Sequence, residues 1–333
     1  MSTQRRLFNR AAMGLAAGVV VGGFAGGLAS PAIAQSDRPI SLVVGYSAGG
    51  SADLVARAVG AELSKRLNRQ VIIENVTGAS GMLAVQKVLG APPDGSVLYM
   101  GGTDTVVVPM VNPKFKHEWD RDFMPVGRMT TVPMVFAVPA GSKYRSLSDV
   151  VKRLQAGGGG QFTYATPGIG TMQHLYGALI NKRAGVTMQH IPYRGGAQIA
   201  NDLVGQQVDS AILVLSTAMP FLKDGKIKAL SVSDSARVPE LPEVKRLGEE
   251  EGFGGVSLPL WQGLFVKAGT PPAVLAALER ALLDALGQAE LRARLKESGI
   301  TVSPMKGREL RDFVAAQAVV YRDIVSSSKI SVE

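Results

Sequence analysis

The sequence predicts an α/β protein of two lobes, each a sheet flanked by helices, with a ligand cleft between them. Short apolar segments alternate with amphipathic segments, and this alternation occurs in two separate series along the chain. Glycine-rich turns follow several of the predicted strands. Alternating strands and helices favour parallel pairing with right-handed crossovers, so two such series predict two lobes.

The composition fits a globular protein and excludes several kinds of site. Of the 333 residues, 46% are hydrophobic and 19% are charged, which is typical of a chain with a sizeable core. The chain has no cysteine, which excludes disulfides, thiolate metal sites and cysteine nucleophiles. Its three histidines leave no pair four residues apart, so a zinc site of the H-E-x-x-H type is excluded. We expect neither a metal nor a cofactor.

The charge of the chain argues against nucleic acid or a membrane surface as a partner. The formal net charge is +9, from 36 Lys and Arg against 27 Asp and Glu. The excess is spread thinly, without a run of basic residues and with few aromatic residues among them. A small ligand is therefore the better expectation.

The first 34 residues have the pattern of an export signal. Three arginines within residues 1–10 precede an uncharged stretch at 11–28 that is rich in Ala, Gly and Val. Residues 30–34, Ser-Pro-Ala-Ile-Ala, then have the small-x-small form of a signal peptidase site. Residues 4–10 resemble a twin-arginine signal, although general secretion and an uncleaved anchor are the alternatives. We expect a periplasmic protein cut after Ala34.

The pattern of apolar residues predicts the order of the elements after this signal. The first series is strand, helix, strand, helix and strand, at 40–44, 52–67, 71–73, 82–89 and 97–100. The second series alternates in the same way, with strands at 135–138, 162–165, 188–191 and 211–215 and helices at 147–155, 171–182 and 197–203. A strand at 264–266 and an all-helical stretch follow, with helices at 273–286, 291–296 and 309–325. Chain crossings near 131 and 257 then divide it into lobe 1 (35–131 plus 258–333) and lobe 2 (132–257).

Four glycine-rich turns each end a strand and open a helix, and they are the most informative feature for function. They are Gly45–Ser51, Gly78–Gly81, Thr166–Thr171 and Tyr193–Gly196. Open α/β sheets bind ligands at this end of their strands, and helix N-termini hold anions through free N–H groups and a partial positive charge. Any single turn of this kind needs Gly and small caps for structural reasons alone. Two turns per lobe around one cleft favour a carboxylate site built mostly from backbone dipoles.

Other functions of these loops fit less well. Gly45–Gly50 has the glycine spacing of a P-loop, but Ser51-Ala52 stands where the Lys-Ser/Thr pair is required. Gly45-Tyr46-Ser47-Ala48-Gly49 has the form of a hydrolase nucleophile elbow with Ser47 as nucleophile. However, no histidine follows Asp209 or Asp234, so the usual triad order fails. We expect a binding protein rather than an enzyme.

Taken together, motifs along nearly the whole mature chain resemble a known family. They are Ala48–Asp53 with Ala56-Arg57, Glu74–Gly81, Pro93-Asp94-Gly95, Gly168–Thr171 with His174, Ile191–Gly196, Asp202-Leu203, Gly205, Gln207–Asp209, Gly263-Leu264-Phe265 and Gly269-Thr270-Pro271. They are similar to motifs of the Bug-type periplasmic solute-binding proteins of tripartite tricarboxylate transporters. The resemblance implies the two-lobed, type II-like periplasmic binding fold. It also implies a protein that captures a small carboxylate and delivers it to membrane transporter subunits, without a catalytic step. We expect the protein to be monomeric.

The resemblance also implies the roles of the loops. The two loops of lobe 1 would hold one ligand carboxylate through backbone N–H groups and ordered water, and the two loops of lobe 2 would contact the rest of the ligand. The candidate ligand-binding residues are Tyr46, Ser47, Ala48, Gly49, Gly50, Ser51, Asp53, Gly78, Ala79, Ser80, Gly81, Thr166, Gly168, Ile169, Gly170, Thr171, His174, Tyr193 and Arg194.

Departures from the family pattern leave the identity of the ligand open. Tyr46-Ser47 replaces the more usual aromatic-Pro pair, Ser80 replaces a frequent Gly, and Arg194 stands where Lys is common. The planar guanidinium of Arg194 suits a distal carboxylate, which favours a di- or tricarboxylate. An aromatic acid or an amino acid also fits. The same binding module could instead serve as the sensing subunit of a signalling system.

Overall fold

The computed structural model describes residues 38–158, 162–233, 237–258 and 260–328. The predicted export signal lies outside these residues. The described part of the chain forms two sheets, each flanked by helices, which confirms the predicted α/β fold class.

The first sheet has six strands in the order β11-β4-β10-β3-β1-β2. Strand β1 is parallel to β2 and β3, whereas β10 runs antiparallel to β3 and β4. The strands are β1 (Ile40–Val44), β2 (Val71–Asn75), β3 (Val97–Gly102), β4 (Phe123–Val132), β10 (Leu260–Lys267) and β11 (Thr301–Lys306).

The second sheet has five strands in the order β7-β6-β8-β5-β9. Strand β6 is parallel to β7 and β8, and β5 is antiparallel to β8 and β9. The strands are β5 (Met134–Pro139), β6 (Thr163–Thr166), β7 (Gln189–Pro192), β8 (Ser210–Val214) and β9 (Ile227–Val232). The chain passes from the first sheet to the second at Pro133, between β4 and β5, and it is again in the first sheet from Leu260.

Helices cover both sheets and connect the strands. They are α1 (Ser51–Leu67), α2 (Met82–Gly90), α3 (Thr103–Val111), α4 (Trp119–Asp122), α5 (Leu147–Arg153), α6 (Met172–Ala184), α7 (Gly196–Val204), α8 (Leu215–Lys223), α9 (Pro272–Leu286), α10 (Ala289–Glu297) and α11 (Gly307–Ser328). Helix α1 illustrates why they pack: Val55, Val59 and Leu63 recur every four residues, and all three are fully buried.

The helices α3, α6 and α11 pack against one another and join the two halves of the molecule, each of which is one sheet with its helices. Their buried residues belong to one large hydrophobic cluster that also includes residues of both sheets, such as Leu42 and Phe136. Near the centre of this cluster, the indole N–H of Trp261 donates a hydrogen bond to the hydroxyl of Tyr321 over 3.2 Å. One hydrophobic cluster therefore extends from the first sheet into the second, and a second, smaller cluster lies around the second sheet.

Several elements differ from the sequence prediction. The C-terminal stretch is not entirely helical, because strand β11 pairs with β4 at the edge of the first sheet. The prediction also left out β4, α3, α8 and β9. Proline weakens the sequence signal in three of these, since Pro109 lies inside α3, Pro125 inside β4 and Pro220 inside α8.

Candidate functional site

Two adjoining cavities lie where the glycine-rich turns of the two sheets meet. The first contains about 790 Å³ of free space, mouth included, and the second about 720 Å³. These volumes are typical of small-molecule sites. Besides the sequence-predicted residues, the first cavity is lined by Gly45, Ala52, Tyr99, Met100, Gly101, Gly102, Thr103, Asp104, Thr105, Pro167, Gln173, Gly196, Leu213, Val214, Thr217, Leu260, Trp261 and Gln262.

The structure brings most, but not all, of the sequence-predicted residues to these cavities. The first cavity is lined by Tyr46, Ser47, Gly50, Ser51, Ser80 and Gly81. The second is lined by Tyr46, Gly78, Ala79, Ser80, Gly81, Gly168, Ile169, Tyr193 and Arg194. The remaining predicted residues line neither cavity; they are Ala48, Gly49, Asp53, Thr166, Gly170, Thr171 and His174.

Asp53 shapes the loop after β1 rather than the cavity wall. Its carboxylate accepts hydrogen bonds from Gly49 N at 3.0 Å, Arg57 Nε at 2.9 Å and Asn75 Nδ2 at 3.1 Å. Burial alone would raise its pKa, but the hydrogen bonds from Arg57, Gly49 and Asn75 together lower the pKa of Asp53. Asn75 also donates to the carbonyl of Tyr46 over 2.9 Å. Asp53 thus holds the loop that presents Tyr46 and Ser47 to the cleft.

The N-terminus of α1 faces the first cavity without a side-chain cap. Its N-cap residue is Gly50, which cannot accept the hydrogen bonds that a Ser, Asn or Asp cap would accept there. Gly50 and Ser51 both line the cavity. A helix end of this kind offers free N–H groups and a partial positive charge to an anion.

The second glycine-rich loop of the first sheet contacts the loop that follows β6 of the second sheet. Ser80 Oγ donates a hydrogen bond to the carbonyl of Ile169 over 2.7 Å. Ala79 and Ser80 both have left-handed backbones, with φ of 47° and 55°. This conformation costs a non-glycine residue roughly 1–2 kcal/mol. Such backbone strain is common at ligand sites, where surrounding contacts hold it.

His174 and the two threonines near it shape the loop after β6. Thr171 Oγ1 donates to the carbonyl of Gly168 over 2.8 Å and accepts from His174 N over 3.3 Å, as the N-cap of α6. Gly170 N donates to His174 Nδ1 over 3.1 Å, and Thr166 Oγ1 lies 2.6 Å from His190 Nε2. These side chains therefore act on the loop conformation and do not reach the cavities.

The two histidines of this network stack face to face, with ring centroids 4.0 Å apart. Burial lowers the pKa of His174 to about 4. Burial, followed by the nearby His174, lowers the pKa of His190 to about 3. Both rings are therefore neutral at neutral pH, as the hydrogen bond accepted by His174 Nδ1 requires.

Tyr193 and Arg194 belong to the second cavity only. Burial, followed by the hydrogen bond and charge of Asp202, raises the pKa of Tyr193 to about 12. Arg194 is exposed. Its guanidinium can therefore meet only the part of a ligand that extends into the second cavity.

The sequence prediction missed an acidic side chain in the first cavity. Asp104, in the first turn of α3, accepts hydrogen bonds from the hydroxyl of Tyr46 and, over 2.9 Å, from the backbone N–H of Met172. Burial raises its pKa to about 6 in spite of these two hydrogen bonds. The only sequence signal was its place directly after strand 97–102, at the same end of the sheet as the glycine-rich turns.

Three buried polar atoms in the described part of the wall of the first cavity lack a hydrogen-bond partner. They are Thr103 Oγ1, Gln173 Oε1 and Thr217 Oγ1, whose residues are 1%, 5% and 8% exposed. None of these residues was predicted: Thr103 and Thr217 lie on α3 and α8, which the prediction left out, and Gln173 lies in the first turn of α6, where only Thr171 and His174 were selected. A ligand is a natural partner for such atoms, since buried polar groups in proteins are almost always hydrogen-bonded.

The three described histidines all have hydrogen-bond neighbours other than Ser47. No hydrogen bond joins Ser47 to a histidine in the part of the chain that the structure describes, because His174 and His190 contact the loop after β6 and His117 Nε2 lies 2.9 Å from the carbonyl of Thr105. Residues 38–328, apart from the gaps given above, contain no cluster of three or more potential metal ligands. Over the same residues, no helix combines the length and apolar character needed to cross a bilayer.

Comparison with known proteins identifies related chains of the same fold. A family model described as "Tripartite tricarboxylate transporter family receptor" matches residues 55–329. The structure of the periplasmic binding protein BugD is 27% identical, with a TM-score of 0.83, and the match covers 89% of this chain and 99% of that one. Rpa4515 of R. palustris, solved with adipate, is 25% identical, with a TM-score of 0.84 and coverage of 88% and 98%. MatC of Rhodopseudomonas palustris, with bound malate, is 30% identical, with a TM-score of 0.80 and coverage of 86% and 99%.

Proposed function

The chain belongs to the tripartite tricarboxylate transporter receptor family, and we propose that it binds a small organic carboxylate in its cleft and delivers it to the membrane subunits of a transporter. Its relationship to BugD agrees with the resemblance to Bug-type periplasmic solute-binding proteins that the sequence motifs predicted. Export to the periplasm, with removal of residues 1–34, is part of this proposal.

The observation that carries the proposal is the uncapped N-terminus of α1 in the wall of the first cavity. No Lys or Arg is among the described residues that line this cavity, so an anion there would be held by backbone N–H groups and the helix dipole. The apolar wall formed by Met100, Leu213 and Trp261 would cover the carbon skeleton of the ligand. Related chains solved with adipate and with malate support a carboxylate as the ligand.

A di-, tri- or aromatic carboxylate is the finer form of this proposal. A long ligand could place one carboxylate at α1 in the first cavity and its far end in the second cavity, near Arg194. Because the guanidinium is exposed, water screens it, and its contribution to affinity would be modest. Binding alone is proposed, with no catalytic step.

Thermal melting of residues 35–333 against a panel of carboxylates tests the proposal. The panel contains mono-, di-, tri- and aromatic carboxylates and amino acids, and copurified ligand is first removed by unfolding and refolding, which the absence of cysteine makes safer. Ligand at about 100 times its Kd adds roughly 2.7 kcal/mol to the free energy of unfolding, enough to raise the melting temperature by several degrees.

A shift confined to one class of carboxylate would support binding and identify the ligand class. If no carboxylate raises the melting temperature, the proposal is wrong. Hydrolysis of simple esters by the same protein, lost in Ser47→Ala, would instead support the enzymatic alternative.

A further inference from the structure

One end of the first cavity is already occupied by a negative charge from the protein. Asp104 Oδ1 accepts the backbone N–H of Met172, the first residue of α6. Its other oxygen accepts the hydroxyl of Tyr46. The protein carboxylate therefore already neutralises the N-terminus of α6, which would otherwise attract an anion. The N-terminus of α1, where Gly50 and Ser51 line the same cavity, has no side-chain cap and can hold a ligand carboxylate.

Other polar groups in the described wall of the first cavity also lack a hydrogen-bond partner. Gln173 directly follows Met172 and lines the cavity, and its Oε1 has no partner in the described structure. Thr217 lines the same cavity with an unpartnered hydroxyl. Both residues are more than nine-tenths buried. A carboxylate and an amide oxygen at one end of a cavity are acceptors, and they match a ligand that donates.

The charges of the cavity wall also favour a positively charged group on the ligand. Among the described residues that line it, Asp104 is the only charged side chain, and no Lys or Arg offsets it. A second ligand carboxylate at this end would meet Asp104 without a cation between them. A protonated amine would instead be attracted to it, and this attraction is stronger than at an exposed carboxylate because Asp104 is partly buried.

We infer that the ligand is an amino carboxylate, whose carboxylate binds at the N-terminus of α1 and whose ammonium group binds between Asp104 and Gln173. This inference rests on the proposed function. It narrows the ligand to carboxylates that also carry a protonated amine, whether the two groups are adjacent or separated by a longer carbon skeleton. Asp104 is then a specificity-determining residue. The unpartnered hydroxyl of Thr217 lines the same cavity.

Calorimetric titration with matched pairs of ligands tests the inference. Each pair has the same carbon skeleton with and without the protonated amine: alanine and propionate, glutamate and glutarate, 4-aminobutyrate and butyrate, and 4-(aminomethyl)benzoate and 4-methylbenzoate. Lactate and malate carry a hydroxyl in place of the amine. In the unaltered protein, we expect at least one amino ligand to bind 10-fold or more tightly than both its deaminated and its hydroxylated analogue.

Asp104→Asn separates recognition of the amine from a structural role. We expect it to weaken the amino ligand at least 10-fold while the deaminated partner changes by less than about 3-fold. Asp224→Asn is the matched control, because Asp224 is exposed and lies outside both cavities; it should leave all affinities unchanged. If Asp104→Asn does not fold, Gln173→Leu provides the same comparison with a smaller expected loss.

The outcomes distinguish this inference from the proposed function. Equal weakening of both members of a pair by Asp104→Asn would show that Asp104 only joins the two halves of the cleft, and the inference would be wrong. Deaminated or hydroxylated carboxylates that bind as tightly as the amino ligand would also overturn it, while leaving carboxylate binding intact. If no carboxylate of any kind binds, the proposed function itself fails.

Discussion

Asp53 and Asp104 both lie in the first turn of a helix that follows a strand of the first sheet, yet their surroundings differ. Asp53 has Arg57 and Asn75 as partners, and its pKa is lowered. Asp104 has only neutral donors, and burial raises its pKa to about 6. The sequence shows the same residue type at the same place in both helices. It does not show the partners, because Asn75 comes from a neighbouring strand and Met172 from the other half of the chain.

Replacing Thr217 with Val should separate stability from binding. The substitution keeps the shape of the side chain and removes a buried hydroxyl that has no partner. Since an unsatisfied buried hydroxyl costs about 1–3 kcal/mol, we expect the ligand-free protein to become as stable as before or slightly more stable. We expect about a 10-fold loss of ligand affinity, because the ligand loses its hydrogen bond. Urea unfolding and calorimetry measure the two effects.

Thr166→Val is the matched control for this substitution. Thr166 is buried, as Thr217 is, but its hydroxyl lies within hydrogen-bond distance of His190 Nε2 and the carbonyl of Gly168. We therefore expect this variant to lose about 1 kcal/mol of stability or more. A stability loss of the same size in Thr217→Val would mean that its hydroxyl has a partner within the protein.

The stacked histidines predict a loss of stability in acid. Their pKa values in the folded protein are about 4 and about 3, below the ordinary value of 6.5, so the unfolded chain binds more protons than the folded one between these limits. Stability from this pair is fully present above pH 6.5 and falls as the pH drops towards 4. Asp104 acts in the opposite direction, because its raised pKa favours the folded state most at low pH. A substitution in the histidine pair itself separates its contribution to the pH dependence of stability from that of Asp104.

His190→Phe should flatten this pH dependence. The ring keeps its stacking partners His174 and Tyr164 but no longer titrates. Between pH 6.5 and 4, we expect the free energy of unfolding to fall by about 1–3 kcal/mol less than in the unaltered protein. Urea unfolding at several pH values measures the difference. Tyr164→Phe serves as the control and should keep the original pH profile; parallel profiles for all three proteins would contradict the prediction.

At the scale of elements, a single substitution can block the free N–H groups at the N-terminus of α1. Gly50→Asp would place a carboxylate at the N-cap, where it would accept the N–H groups that we propose for the ligand. A Cβ at this position has only an ordinary contact, 3.6 Å from the Ser47 carbonyl, and the backbone needs no glycine there. We expect carboxylate binding to fall at least 100-fold while the melting temperature is unchanged or higher. Differential scanning calorimetry and ligand titration measure both quantities.

Gly50→Ala is the control for this substitution, since it adds the Cβ without the charge. We expect it to keep most of the affinity. Loss of binding in the Ala variant would mean that space, rather than the free helix end, decides binding at this position. Full binding in the Asp variant would mean that the ligand carboxylate lies elsewhere.

The elements that the sequence predicted correctly are those with strong local signals. Strand β1 and helix α1 have continuous apolar and four-residue patterns, and the predicted and observed bounds agree to within one residue. Helix α8 and strand β4 lack such signals, because Pro220 and Pro125 interrupt them. Packing against β5, β8 and β9 supports α8, and pairing with β10 and β11 supports β4. Tertiary contacts thus decide the elements that the pattern leaves open.

The same division holds for the candidate site. Glycine-rich turns were visible because glycine marks the places where the backbone turns sharply or approaches another group. Asp104, Gln173 and Thr217 were not visible, since each lies on a helix and only the packing of the two halves brings them to one cavity. The sequence therefore predicted several backbone loops that line the cavities, but not the side chains of Asp104, Gln173 and Thr217 beside them.

At the scale of the whole molecule, the two halves meet through close contacts across the cleft. Ser80 bonds to Ile169, and Asp104 bonds to Met172. An added Cβ on Gly195 would lie 2.1 Å from Ser47 Oγ and 3.3 Å from Ser47 Cβ, so rotating the serine hydroxyl relieves only part of the clash. The backbone of Gly195 is extended, with φ of 176°, so any residue could adopt it. Glycine is needed there for space between the halves, not for backbone freedom.

Gly195→Ala should therefore hinder closure of the cleft around a ligand without unfolding the protein. If ligand binding selects the closed arrangement, the radius of gyration from small-angle X-ray scattering should decrease on addition of ligand. We expect Gly195→Ala to reduce or abolish this decrease and to lower affinity about 10-fold or more, because contacts made only in the closed state are lost. Gly141→Ala is the control, since a Cβ there meets no atom within 4 Å. A Gly195→Ala protein that becomes compact and binds like the control would mean that the Ser47–Gly195 approach does not limit closure.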